Sequence, residues 1–160
     1  MIRGIHHVAL HTPNFDAMAK FYLDAFGFEP VVDEFRWGNS RVTDEALGVP
    51  NSAARTLMMK AGNCYIELFE YYSPPPRDAG PARPNDYGYT HFCVDVTDIE
   101  AECARLRTLG MTFPIDKPAD FGPVQFVYGK DPDGNVIEIQ QLDPDHDFAM
   151  ERLERVDLGR

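Results

Sequence analysis

The sequence predicts an α+β fold made of two tandem βαβββ units that form a curved mixed sheet around a cleft. Three observations support this prediction. A strand followed by a capped helix occurs twice, a proline-rich segment separates the two copies, and a Gly-Asn turn precedes the last strand of each copy. We expect one domain over 1–160, with units at 5–72 and 87–142, a linker at 73–86 and a charged tail at 143–160.

The first unit begins with an alternating, β-branched segment, after which Thr12-Pro13-Asn14 supplies a turn and a helix cap. Apolar residues at three- and four-residue steps follow, and Gly27 stands where a helix C-cap belongs. The rest of the unit has strand patterns, with a hairpin turn at Gly62-Asn63. The predicted elements are a strand at 5–11, a helix at 15–26, a strand at 28–35, a polar loop through Asn51, and strands at 55–60 and 64–71.

The second unit repeats this order. When His7 is laid on His91, Asn14 falls on Asp98, and the two helix patterns coincide. A repeat of this kind implies two similar faces meeting about a pseudo-twofold axis, with the functional site in the cleft between them. The predicted elements are a strand at 89–96, a helix at 99–109 closed by Gly110, a short strand near 111–114, and strands at 124–128 and 136–142.

Two further segments flank the second unit. The prolines between Ser73 and Asn85 lack amide donors, so this segment can form neither a helix nor a central strand. The tail after residue 142 is highly charged and has a sparse apolar stripe, which predicts a surface or dimer-flanking helix. The residues of this stripe are Phe148, Leu153 and Val156.

Composition excludes several classes of function. The net charge is −11 and the basic residues are scattered, which would repel a phosphate backbone, so we expect no nucleic-acid partner. No run approaches the roughly eighteen apolar residues of a membrane span, and the first residues lack a signal-peptide pattern. We therefore expect a cytoplasmic protein with no membrane partner. The three cysteines match no zinc or redox spacing, which favours reduced thiols.

One histidine and one glutamate occupy equivalent places in each unit, His7 with Glu67 and His91 with Glu138. Side chains alternate faces along a strand, and apolar residues flank all four positions. The four should therefore point away from the helices, where isolated carboxylates would be costly unless a cation stood between them. Nearby side chains that compete for these places are His6, His11 and Glu70.

Two imidazoles and two carboxylates suit a borderline divalent metal in five- or six-coordinate geometry. Such a site keeps open positions for water or substrate oxygens. The sequence therefore predicts one divalent metal ion, Ni, Co, Zn, Mn or Fe, bound by His7, Glu67, His91 and Glu138. Composition alone does not choose among these metals.

Six stretches carry a resemblance to a known family, and they are 5–10, 21–23, 27–28, 66–70, 90–96 and 131–139. Together they resemble the vicinal oxygen chelate superfamily, also called the glyoxalase and bleomycin-resistance fold, and the ligand pattern is closest to bacterial glyoxalase I. That resemblance implies a metal-dependent lyase or isomerase that acts on a small oxygenated substrate through a metal-stabilised enediolate. It implies that Glu138 is the metal-bound carboxylate that moves a proton, with Glu67 as the second candidate base. It is also compatible with a homodimer.

Two positions bear on the substrate. Glutathione-type relatives often have an Arg four residues beyond the first His and an Asn four beyond the first Glu, where this chain has His11 and Tyr71. We therefore expect a small-molecule substrate that is not a glutathione adduct. Phe69 and Tyr71 share the face of Glu67, and they either line a cleft for an apolar or aromatic substrate or only pack.

Three alternatives stay open. Ring-cleaving extradiol dioxygenases of this kind bind iron with two His and one Glu, and Glu67 argues against that reaction. An epimerase of acyl-CoA esters is a further possibility, although the relatives that it resembles have Gln where this chain has Glu67. An acidic surface also suits the anionic CoA poorly. A non-catalytic drug- or ligand-binding module of the bleomycin-resistance type generally lacks the four ligands.

Overall fold

The computed structural model describes residues 4–77, 80 and 83–153. Of these, residues 5–77 form one compact unit, and the others belong to a second. The elements of the first unit are β1 (His7–His11), α1 (Phe15–Phe26), β2 (Glu29–Pro30), β3 (Phe35–Trp37), α2 (Arg41–Leu47), β4 (Ala53–Ala61) and β5 (Cys64–Ser73). Those of the second are β6 (Phe92–Asp95), α3 (Ile99–Thr108), β7 (Ala119–Asp120), β8 (Val124–Lys130), β9 (Val136–Leu142) and a 3₁₀ turn (Met150–Arg152).

Each unit contains one mixed sheet, and the two sheets have the same strand order. The first runs β1-β5-β4-β2, with β3 also on β4, and the second runs β6-β9-β8-β7. In both, the first strand lies parallel to the last, and the other pairs are antiparallel. The predicted α+β class and the tandem βαβββ units are therefore confirmed, with the strands in two sheets.

The helix of each unit packs on the last strand and buries one face of the sheet. Fully buried Ile66 and Leu68 on β5 have their equivalents in Ile137 and Ile139 on β9. Burying a side chain of this size stabilises the fold by about 1.5–3 kcal/mol. Because strand side chains alternate, the residues between these isoleucines and leucines must point to the opposite face. Those residues include Glu67 and Glu138.

The caps of α1 and α3 explain where the helices begin and end. The backbone of Gly27 is left-handed, with φ 66°, and its amide donates to the carbonyl of Leu23, as the sequence predicted. Asp98 accepts a hydrogen bond from the amide of Ala101 at the start of α3. Gly110 follows α3 with φ 105°. These glycines adopt conformations that other residues rarely tolerate.

The segment between α1 and β4 differs from the prediction. The strand expected at 28–35 is split into β2 and β3. Pro30 has no amide donor, and after the hydrogen bond from the amide of Val31 to Met58 the chain rejoins β4 only at Phe35. The expected polar loop contains the helix α2, whose cap Ser40 accepts from the amide of Thr43. This helix buries none of its side chains, so no apolar periodicity marks it in the sequence.

The second unit and the tail also depart from prediction. The strand expected near 111–114 is a single bridge between Thr112 and Lys130, while the short strand β7 lies further along. The helix expected in the tail is wrong for residues 143–149, where Asp143 accepts from the amide of Asp145 and so favours turns over helix. Val156 and linker residues 78, 79, 81 and 82 lie outside the described residues. No helix in the described part of the chain is long and apolar enough to cross a membrane.

Candidate metal centre

The first predicted pair lies on two adjacent parallel strands. His7 begins β1, and Glu67 lies on β5, where its register partner is Ala9. The Nε2 atom of His7 is 3.3 Å from Oε2 of Glu67, and their side chains are 39% and 18% exposed. The sheet therefore brings an imidazole and a carboxylate together on a face that solvent partly reaches.

Neighbouring side chains engage the other polar atoms of this pair. The Nδ1 atom of His7 is 2.9 Å from Nδ1 of His6. The hydroxyl of Thr56 donates to Oε1 of Glu67 over 3.1 Å. These contacts leave Nε2 of the imidazole and Oε2 of the carboxylate facing each other. Side chains that hydrogen-bond to a metal ligand in this way orient it.

The second pair reproduces this arrangement in the other unit. Glu138 lies on β9, and His91 directly precedes β6, which is parallel to β9. Nε2 of His91 is 3.2 Å from Oε2 of Glu138, with side chains 27% and 16% exposed. The hydroxyl of Thr90 is 2.8 Å from Nδ1 of His91. Again the Nε2 and Oε2 atoms face each other.

Two neutral donors lie beside Glu138. Desolvation, followed by the charges of Glu138 and Asp95, raises the pKa of the Cys93 thiol. Desolvation, followed by the charge of Glu138, also raises the pKa of the Tyr128 hydroxyl. The ring of Tyr128 meets that of His91 edge to face, with centroids 5.0 Å apart. Both groups therefore keep their protons next to this carboxylate.

The chemistry of each pair fits a divalent metal. Imidazole nitrogen and carboxylate oxygen are the ligand types that Ni, Co, Zn, Mn and Fe accept. Within the described residues, no group of three or more His, Cys, Asp or Glu side chains comes together as a metal cluster. The structure thus brings the four predicted ligands together as two pairs, one in each unit.

The competing residues have other partners. The imidazole of His11 accepts from the amide of Tyr71 over 3.2 Å, and that of His6 stacks on Tyr65. Glu70 accepts from Arg55 over 2.6 Å. The alternation of β5 places Glu70 on the opposite face from Glu67. None of the three replaces a member of either pair.

Aromatic residues adjoin the first pair, and one of them was missed by sequence reasoning. The ring of Trp37 meets Phe69 and Tyr71 edge to face, with centroids 5.9 and 5.6 Å apart. Phe69 and Tyr71 stack at 5.7 Å. Trp37 follows the predicted strand at 28–35, and its alternation with Phe35 was the signal that could have found it.

The second unit holds a cavity of about 320 Å³ beside its pair. Tyr128 links the two, because it lines the cavity and contacts the ring of His91. Phe113 and Pro114 supply apolar walls, and Lys130 is the one basic residue among the lining side chains. A cavity of this size holds a small organic molecule.

Comparisons with known proteins agree with this fold. Residues 4–139 match the model of the Glyoxalase/Bleomycin resistance protein/Dioxygenase superfamily. The chain is 29% identical to a 2-epi-5-epi-valiolone epimerase from Actinomyces sp, over 87% of this chain and 79% of the relative. It is 27% identical to an ethylmalonyl-CoA/methylmalonyl-CoA epimerase from Cereibacter sphaeroides, over 89% of this chain and 100% of the relative.

A solved structure gives the same architecture. A glyoxalase family protein from Bacillus cereus superposes with a TM-score of 0.73 at 16% identity, covering 89% of this chain and 95% of that one. At that identity the superposition shows the fold alone, and the family assignment rests on the sequence match. The match covers most of the chain and includes both His–Glu pairs. The chain belongs to the Glyoxalase/Bleomycin resistance protein/Dioxygenase superfamily, the vicinal oxygen chelate proteins.

Proposed function

We propose that this protein is a divalent-metal-dependent isomerase or lyase that moves a proton at a carbon next to a carbonyl, and that its reaction is an epimerisation. The observation that carries the proposal is the repeated pair, in which a His Nε2 faces a Glu Oε2 at 3.3 and 3.2 Å. Two relatives of the chain are epimerases. The substrate is a small oxygenated carbonyl compound that is not a glutathione adduct.

His7, Glu67, His91 and Glu138 hold one divalent metal ion in this proposal. Ni, Co, Zn, Mn and Fe all accept this ligand set. When bound, the ion supplies Lewis acidity, which lowers the cost of negative charge on the substrate oxygens. The structure supports the donor chemistry of each pair. The number of metal ions per chain tests whether both pairs share one ion.

Glu138 is the base that removes the proton from the substrate carbon. Its neighbours Cys93 and Tyr128 keep their protons, so they can donate to a carboxylate without competing for the substrate proton. Epimerisation also needs a group that returns a proton from the other side. Glu67 is the carboxylate of the other His–Glu pair, and we assign it that role.

The test is α-proton exchange in D₂O, followed by NMR, with hydroxyacetone and 2-hydroxyacetophenone as probes and each of the five metals in turn. The wild-type protein should exchange the α-protons of at least one probe with at least one metal. Glu138→Gln and Glu67→Gln should lower the rate by about 100-fold or more. Glu100→Gln, an exposed carboxylate on α3, is the matched control and should not change the rate.

Absence of exchange with every metal, or equal rates in all three variants, contradicts the proposal. A variant that loses activity through misfolding is recognised by its circular dichroism and melting temperature. The carboxamides keep the size and shape of the carboxylates, so we expect folding to be retained.

A second candidate is epimerisation of an acyl-CoA ester, which the relative from Cereibacter sphaeroides favours. The net charge of −11 opposes it, because CoA is itself an anion. Exchange at the α-carbon of methylmalonyl-CoA without exchange of either ketone selects this candidate. Exchange of the ketones alone removes it.

We also propose a homodimer in the cytoplasm. All three cysteines, Cys64, Cys93 and Cys103, are free thiols, as in proteins of a reducing compartment. Light scattering after size-exclusion chromatography should give twice the chain mass of 18.1 kDa. A mass of one chain at micromolar concentration contradicts the dimer.

A further inference from the structure

Four aromatic residues of the first unit form a continuous cluster, which we call the aromatic platform. Its members lie on β3 and β5, and they are Phe35, Trp37, Phe69 and Tyr71. Phe35 stacks on Trp37 at 6.3 Å, and Trp37 meets the other two edge to face at 5.9 and 5.6 Å. Phe35 is 62% exposed, and the other three are half-buried. The platform is therefore a partly open aromatic surface.

The strand register connects the platform to the predicted ligand Glu67. Thr56 on β4 is the register partner of both Phe35 and Phe69. Its hydroxyl donates to Oε1 of Glu67. Phe69 is two residues from Glu67 along β5, so both side chains point to the same face. The platform thus begins at the next residue of β5 that shares a face with Glu67.

Trp37 is held by a chain of hydrogen bonds on its far side. The indole Nε1–H donates to the Ser52 hydroxyl over 3.0 Å, and this hydroxyl donates to Oδ1 of Asp44 over 2.7 Å. Ser52 is fully buried, and its amide also donates to Asp44 over 2.8 Å. The hydrogen bond from Ser52 lowers the pKa of Asp44, which keeps the carboxylate charged. The one polar atom of the indole is therefore satisfied inside the unit.

The neighbours of the platform on β4 are uncharged. On β4 the register places Thr56 and Met58 beside the platform, and Glu67 is the nearest charged group on β5. Apolar ring surface gains free energy when another ring covers it, beyond the gain from buried area alone. Such a surface next to a charged ligand pair fits a substrate with an apolar ring at one end and oxygens at the other.

We propose that the aromatic platform binds an aryl ring of the substrate, and that the substrate class is an aryl-substituted α-hydroxy carbonyl compound. Ser52 and Asp44 are positioning residues that fix the indole. This inference rests on the proposed function, which supplies the oxygen-binding end of the same site. It makes Trp37 the residue that determines specificity for aryl over alkyl substrates.

Binding is measured by fluorescence, because Trp37 is the single tryptophan of the chain. The probes are 1-phenyl-1,2-ethanediol and 1,2-propanediol, which share vicinal oxygens and differ in the ring. With excitation at about 295 nm, the phenyl compound should change the emission saturably, and the methyl compound should not at equal concentration. If both compounds change the emission equally, or if neither changes it, the proposed binding of an aryl ring by the platform is overturned.

Specificity is measured as the ratio of kcat/KM for 2-hydroxyacetophenone to that for hydroxyacetone in the exchange assay. Trp37→Leu should lower this ratio about tenfold, which corresponds to the free energy of one contact between aromatic rings. Tyr72→Leu removes an exposed ring from the opposite face of β5 and is the matched control, with the ratio unchanged. Ser52→Ala should lower the ratio less and shift the Trp37 emission maximum, whereas a purely structural role would change the melting temperature alone.

The outcomes separate this inference from the proposed function. Ring-dependent quenching of Trp37 without exchange of either ketone supports the platform and contradicts the proton-transfer reaction. Exchange of both ketones with a ratio that Trp37→Leu leaves unchanged supports the reaction and overturns the platform. A variant that changes the oligomeric mass but not the response to the phenyl diol also overturns the platform and identifies this surface as an interface between copies of the chain.

Discussion

The two His–Glu pairs have nearly the same geometry but different surroundings. Nε2 to Oε2 is 3.3 Å in the first unit and 3.2 Å in the second, and Nδ1 of each imidazole has a neighbour, His6 in one and Thr90 in the other. The repeat preserves the two atoms of each pair that would contact a metal, Nε2 of the histidine and Oε2 of the glutamate. What differs is the group beside each carboxylate, and this difference suggests that the two glutamates do different work.

Glu67 accepts a hydrogen bond from the hydroxyl of Thr56, and a hydroxyl is a stronger donor than a thiol. Glu138 has the Cys93 thiol and the Tyr128 hydroxyl as neighbours, and a thiol is a weak donor. A carboxylate that is held less tightly can leave its ligand position more easily. We therefore expect Glu138 to remove the substrate proton, and Glu67, which returns it, to contribute more than Glu138 to metal affinity.

The largest expected effect comes from comparing the two carboxamide variants. Glu138→Gln should lower the exchange rate by about 10²–10⁴-fold at saturating metal, because it removes the base. Glu67→Gln should weaken metal affinity more than Glu138→Gln does. Rates at saturating metal and titrations with Mn²⁺, followed by electron paramagnetic resonance, separate the two effects. Identical profiles for both variants would mean that the surroundings do not divide the roles.

The cores of the two units also differ at one equivalent position. Met59 pairs with Ile66 and is fully buried, whereas its counterpart Gly129 pairs with Ile137. A Cβ on Gly129 would come within 2.5 Å of Cε of Met111. In the second unit, residues from outside the strand therefore fill the space that Met59 fills in the first.

Opposite changes at these positions should both destabilise the protein. Met59→Ala leaves a cavity and should cost about 2–5 kcal/mol. Gly129→Ala crowds the Met111 side chain and the ring of Phe113, and should cost about 1–3 kcal/mol. Gly38→Ala, whose Cβ would meet only Ala53 at 3.4 Å, is the tolerant control. Urea unfolding measures all three, and a neutral Gly129→Ala would contradict the packing comparison.

The threonines near the pairs should influence metal affinity. Thr56→Val and Thr90→Val remove the hydroxyls beside Glu67 and His91, and each should weaken metal binding by about 10–100-fold. Thr97→Val, an exposed position before α3, serves as control. Competition with a chromophoric chelator gives the affinities. Unchanged affinity in both variants would show that these hydroxyls do not orient the ligands.

The smallest expected effect concerns how each sheet holds its helix. The guanidinium of Arg55 donates to Glu70 and to Asp16 in the first turn of α1. In the second unit the equivalent of Glu70 is Gln141, which accepts from the amide of Ile99 at the start of α3. Arg55 is 13% exposed and Asp16 is 83% exposed, so solvent weakens the second contact.

Arg55→Gln should therefore lower the free energy of unfolding by about 1–2 kcal/mol, mostly through the lost contact with Glu70. Arg41→Gln, which removes an exposed ion pair within α2, should change it far less. Urea unfolding at low and at high salt checks the comparison. Equal losses for the two variants would show that the partly buried ion pair contributes no more than the exposed one.

The sequence predicted the elements whose residues have a buried apolar face. The helix α1 and the strand β9 match the predicted bounds, because their apolar periodicity is set by contact between helix and sheet. The same alternation predicted which face Glu67 and Glu138 occupy. The helix α2 was missed because it buries nothing, and β2 and β3 were merged because the pattern continues through Pro30.

For the candidate site, sequence reasoning identified the four residues of the two His–Glu pairs but not the residues that surround them. Thr56, Thr90 and Tyr128 contact the pairs through strand register, which no local pattern reveals. Trp37 was missed for the same reason, since its contact with Phe69 depends on how β3 pairs with β4. The residue type of a candidate ligand can be read from the local sequence, whereas the side chains that contact it lie on neighbouring strands.

The proposed function requires that both pairs bind one metal ion. Its most direct test is the number of metal ions per chain, by elemental analysis after reconstitution, in the wild-type protein, His7→Ala and His91→Ala. One ion per chain, largely lost in either variant, is the predicted result. Two ions per chain, with one lost in each variant, would contradict the claim by showing that each pair binds its own metal, and no ion in the wild type would remove the metal-dependent reaction altogether.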